Sequence, residues 1–110
     1  GVDFYKGTAQ GNQIFAETAV SMKTTITTDV NTWLASTPVQ KNISFIKDGL
    51  NPTKGLQSNE KIMFIQYAEM HIYMPQANIS ESLISAWMNK LNTVNPRIKF
   101  EIKALEDFVK

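Results

Sequence analysis

The chain has no cysteine. That excludes a disulfide framework, a cysteine-ligated zinc site, an iron–sulfur cluster and a thiol nucleophile. Histidine occurs once, as His71, so no two-histidine metal site can form within one copy. A dominant charge is missing as well: 11 basic residues face 10 acidic ones, for a formal net charge of +1. Without a long-range field of one sign, the usual drive for non-specific nucleic-acid binding is absent, and nucleic acid is not an expected partner. The longest uninterrupted apolar run is Ile62-Met63-Phe64-Ile65, far short of the roughly 20 residues a membrane-spanning helix needs. No signal-peptide pattern is present. The sequence starts at Gly1 rather than Met, as a processed or excised product would, and a targeting or membrane segment removed upstream is compatible with it.

Catalytic motifs are equally scarce. Ser44, Ser80, Ser82 and Ser85 lie outside any Gly-x-Ser-x-Gly elbow. Gly7, Gly11, Gly49 and Gly55 are scattered and form no phosphate-cradling loop. Asp3, Asp29, Asp48 and Asp107 lack calcium-loop spacing. No catalytic residue, metal or cofactor is nominated, and the chain is not expected to be an enzyme. Asn42-Ile43-Ser44 and Asn78-Ile79-Ser80 match the loose glycosylation triplet, which matters only in a secretory eukaryotic context.

What is present is an apolar fraction of 43% and a charged fraction of 19% over 110 residues, the profile of one ordinary folded domain. Residues 1–7 read as an entry segment anchored by Phe4 and Tyr5, or a frayed one. Over residues 8–34, Phe15, Ala19, Met22, Ile26, Val30, Trp33 and Leu34 recur mostly at steps of three and four, which predicts a long amphipathic helix. A rival pattern overlaps it: residues 20–34 also alternate strictly, with a β-branched run at Thr24-Thr25-Ile26-Thr27-Thr28 that costs helix propensity. Pro38 ends this element. Residues 39–50 fit neither period cleanly, and residues 51–59 read as an exposed loop rich in Pro, Gly and small polar residues.

Residues 61–74 predict a long central strand, stopped by Pro75. Residues 78–91 predict a helix with Asn78 and Glu81 as a capping pair and an apolar face of Ile79, Leu83, Ile84, Trp87, Met88 and Leu91. Residues 97–104 predict a half-buried strand, with Ile98, Phe100, Ile102 and Ala104 inward and Arg97, Lys99, Glu101 and Lys103 outward. The expected fold is α+β: a long N-terminal helix on a small sheet, followed by a C-terminal strand–helix–strand unit.

Three functional expectations follow. The leading one is a non-catalytic structural or protein-interaction module within a larger assembly, such as a secretion or surface complex or a viral particle. It would bind a protein partner or itself through Phe15, Met22, Trp33, Tyr73 and Trp87. The second is a nucleic-acid-binding module using Arg97, Lys99 and Lys103, weakened because Phe100 points away from the cations and Glu101 interrupts them. The third is a small ligand-binding protein or enzyme with a pocket around Tyr67, Glu69 and His71.

Overall fold

In the computed structural model, which describes residues 2–108, the chain opens with a β-hairpin where a long helix is expected. Strand β1 (Phe4–Gln10) pairs antiparallel with β2 (Gln13–Thr24) across a two-residue turn. Gly11 supplies the positive φ (59°) that this turn needs, and Gly11-Asn12 is itself a hairpin signal. The alternating pattern therefore wins as far as Thr24. The helical spacing from Phe15 to Ile26 is a coincidence of residues that in fact point to both sheet faces, and Ile26 ends up 84% exposed.

The helix that does form is short: α1 (Val30–Ala35), capped by Asp29, whose carboxylate accepts from the Thr32 amide at 3.1 Å. Helix α2 (Thr37–Leu50) follows at once. Pro38 sits in its first turn, where a missing N–H costs nothing, so the proline that ends one element starts the next. Val39, Ile43, Ile46 and Leu50 form its buried stripe. Gly49 lies over the sheet so closely that an added Cβ would meet the Ile65 side chain at 2.5 Å.

The segment expected to be all loop, residues 51–59, contains a short strand, β3 (Leu56–Ser58). Leu56 is buried against the core, and Asn59 turns the chain back with φ 56°. Strand β4 (Lys61–Met74) runs through the centre, as its apolar sequence predicts. A 3₁₀ turn (Gln76–Asn78) precedes α3 (Glu81–Leu91). The cap of α3 is Ser80, which accepts from the Leu83 amide at 3.1 Å, rather than Asn78. Asn78 instead donates to the Ile26 carbonyl at 3.3 Å, fastening the segment after β2. Strand β5 (Ile98–Ala104) and a final turn of helix, α4 (Leu105–Phe108), complete the described chain.

The sheet order is β1-β2-β4, with β3 and β5 sharing the far side of β4. Strands β2, β4 and β5 are mutually parallel; β1 and β3 are antiparallel to their neighbours. Both parallel crossovers step the same way across the sheet, so right-handed connections put α1, α2 and α3 on one face. The core confirms this. Trp33 of α1 and Trp87 of α3 meet at 5.8 Å between ring centroids, over Met70, Ile72 and Met74 of β4. The Trp87 indole donates to the Thr28 carbonyl at 2.9 Å. The fold is thus a mixed α/β sheet with helices on one side and a C-terminal strand–helix–strand unit.

One irregularity organises the sheet. In β4 the buried positions are Met63 and Ile65, then Ala68, Met70, Ile72 and Met74, so the pleat changes phase at Gln66. Strand β2 changes phase opposite it: Ile14 and Ala16 are buried, then Ala19 and Ser21. The β2–β4 register stays constant, so the two strands slip together. Strand β1 has no such slip and leaves Glu17 of β2 as an extra, bulged residue between Lys6 and Gly7. Gly7 is required there, since a Cβ would fall on the Phe15 carbonyl oxygen.

Candidate functional site

Every strand residue that points away from the helices contributes to an open face. The register orders them in rows. Phe4, Val20, Glu69 and Lys99 form one row; Met22, His71 and Glu101 the next; Thr24, Tyr73 and Lys103 the third. Tyr67, beside Thr18 and Lys6, flanks the rows at the phase change.

His71 sits at the middle. Its side chain is 13% exposed, and its Nε2 lies 3.0 Å from Glu69 Oε1 and 3.6 Å from Glu101 Oε2. Glu69 is two residues back on the same strand face, and Glu101 is directly opposite on β5, so backbone register alone brings the three together. Two lysines close the network. Lys99 Nζ is 3.0 Å from Glu101 Oε1, and Lys103 Nζ is 3.6 Å from Oε2. The hydrogen bond from Lys99 is the chief reason the Glu101 carboxyl is held below its ordinary value; the charges of Lys99, His71 and Lys103 act in the same direction, against the opposing effect of burial. The same bond raises Lys99.

The candidate residues separate clearly. Glu69 and His71 meet as expected, with Tyr67 on the same face, but they lie on a sheet surface among half-buried neighbours. Among the interaction candidates, Trp33 and Trp87 are buried in the core and unavailable to a partner; this corrects their expected surface role. Phe15 is exposed and stacks on Phe64 at 5.8 Å, bordering a groove of about 470 Å³ with Gly7, Thr8 and Gln66. Met22 and Tyr73 are half-buried on the open face.

The basic candidates also divide. Lys99 and Lys103 reach the open face, where Tyr67 and Tyr73 lie beside them, but both are paired to Glu101. Arg97 has a structural task. Its guanidinium donates to the carbonyls of Leu50 (3.0 Å), Ile65 (3.2 Å) and Gln66 (2.6 Å). The pairing of β3 with β4 ends at Met63 and that of β5 begins at Ala68, so the Ile65 and Gln66 carbonyls fall in the gap where β4 has no strand neighbour on that side, while the Leu50 carbonyl ends α2. Arg97 fills the gap, which is the physical reason it is not a free cation for a polyanion.

Glu101 is the site residue that sequence reasoning passes over. Its identity is plain, but its meeting with His71 depends on the β4–β5 register, which no local pattern encodes. No helix among the described residues is long and apolar enough to cross a membrane. No protein-family model, curated protein or solved structure matches the chain.

Proposed function

We propose that the chain is a non-catalytic assembly module that joins a second copy of itself by adding strand to strand along β1. The supporting observation is the contrast between two of the sheet's outer strands, β1 and β5. All seven residues of β1 are exposed, and its outer edge has no strand neighbour among the described residues. Phe4 and Tyr5 point to opposite faces and are 53% and 40% exposed. An added strand would cover both rings and satisfy the unpaired backbone groups of the edge.

Strand β5, the opposite edge, carries Lys99, Glu101 and Lys103 in alternation, the kind of charged rim that resists strand addition. Strand β1 carries one charge, Lys6. Antiparallel pairing of two β1 strands about Gly7 sets Lys6 across from Thr8, so the cations do not meet, and the interface closes as a two-fold dimer. Such a dimer carries one continuous sheet with both open faces available to a larger assembly.

Sedimentation equilibrium tests the reading. The wild-type chain is expected to dimerise as concentration rises. The double substitution Phe4→Lys and Tyr5→Lys is expected to hold it monomeric with an unchanged circular dichroism spectrum. A wild-type chain that stays monomeric at every concentration overturns the proposal, as does a dimer indifferent to the double substitution.

A further inference from the structure

We infer that Glu69, His71 and Glu101 form a binding site for one divalent transition-metal ion of the zinc class. One imidazole nitrogen and two carboxylate oxygens are a donor set that zinc accepts. Their spacing suits it. Bonds of 2.0–2.2 Å in a tetrahedron put neighbouring ligand atoms about 3.3 Å apart. Here His71 Nε2 is 3.0 Å from one carboxylate oxygen and 3.6 Å from the other, and all three ligand atoms lie within 4.8 Å of one another. A small rotation of either glutamate completes the triangle.

The backbone beneath the triangle is stiff. His71 lies between Met70 and Ile72, both fully buried, and two parallel ladders hold β4 at this point. The ligands come from rigid strands rather than loops, which fixes their separation before any ion arrives. Lys99 does not compete for the metal-facing atom. It holds Oε1 of Glu101, the role of an outer partner that orients a ligand carboxylate, while Lys103 Nζ, 3.6 Å from the Oε2 that faces His71, has to turn aside when the ion binds. On binding, Nε2 exchanges its contact with Glu69 for the ion, and any proton it carries is released to solvent. Three protein ligands leave a fourth position for water.

The site is independent of the β1 edge, and its test reads metal rather than assembly. Zinc and cobalt(II) are titrated into the full chain at neutral pH, followed by calorimetry and by the visible absorption of tetrahedral cobalt. One ion per chain is expected, with the cobalt bands displaced by zinc and magnesium failing to compete. His71→Ala, Glu69→Gln and Glu101→Gln are each expected to abolish binding while the circular dichroism spectrum is unchanged. Lys99→Ala is expected to weaken it about tenfold. No zinc binding, binding that survives His71→Ala, or magnesium binding as tight as zinc would overturn the inference. In each case the cluster is an ion-pair network only.

Discussion

On the helix-covered side of β4, Met70, Ile72 and Met74 are wholly buried under Trp33 and Trp87. On the other side of the same strand, Glu69, His71 and Tyr73 are only partly buried, and His71 answers to charge from β5. Alternation along one strand thus yields two surfaces with different physics. One is held by the removal of apolar area from water and tolerates little change. The other is held by pairs of partly solvated charges, which contribute little to stability and can be exchanged for a ligand. The difference explains why the candidate chemistry collects on one face. The covered face has no room for it.

The largest effect that tests this contrast is on the covered face. Trp87→Ala removes a buried ring and the hydrogen bond to Thr28, and is expected to cost about 3–5 kcal/mol in denaturant unfolding. Tyr67→Ala, on the open face, is expected to stay within about 0.5 kcal/mol of wild type. Equal costs would erase the distinction. Next comes Arg97→Met, which leaves the carbonyls of Leu50, Ile65 and Gln66 without their shared donor. A loss of about 2 kcal/mol is expected, with faster amide exchange around residues 64–67.

A smaller effect is expected at the open-face network. In the absence of metal, His71→Ala should change unfolding free energy by about 1 kcal/mol or less, because both glutamates it pairs with keep part of their solvation. The smallest expected effect concerns the cap of α1. The hydrogen bond from the Thr32 side chain holds the Asp29 carboxyl below its usual value. A depressed carboxyl contributes stability above its unfolded pKa and loses it as pH falls through the lower folded one. Asp29→Asn should therefore melt slightly below wild type at neutral pH, with the gap closing in acid, as read by thermal unfolding at several pH values.

The second half of the chain was more legible than the first, for physical reasons. Strand β5 alternates cleanly, and α3 has one apolar stripe ending at Leu91, so local pattern and tertiary burial agree there. Residues 20–34 carry two overlapping periods, and the deciding feature is the Gly11-Asn12 turn outside that window. Residues 39–50 fit neither period cleanly because Asn42 and Gly49 interrupt the apolar stripe of α2. Both are buried, and Gly49 lets the helix approach the sheet. In β4, the mixed faces at its start record the phase change at Gln66, which neighbouring strands and Arg97 sustain. Two of the three candidate ligands, Glu69 and His71, are readable from their spacing two apart. The third, Glu101, needs a register that only the folded sheet supplies.

The most direct test of the account is hydrogen–deuterium exchange of the two outer strands at low and high protein concentration. Amides of β1 are expected to gain protection as concentration rises while those of β5 do not. Protection of β1 that is independent of concentration, or gained equally at β5, would contradict it.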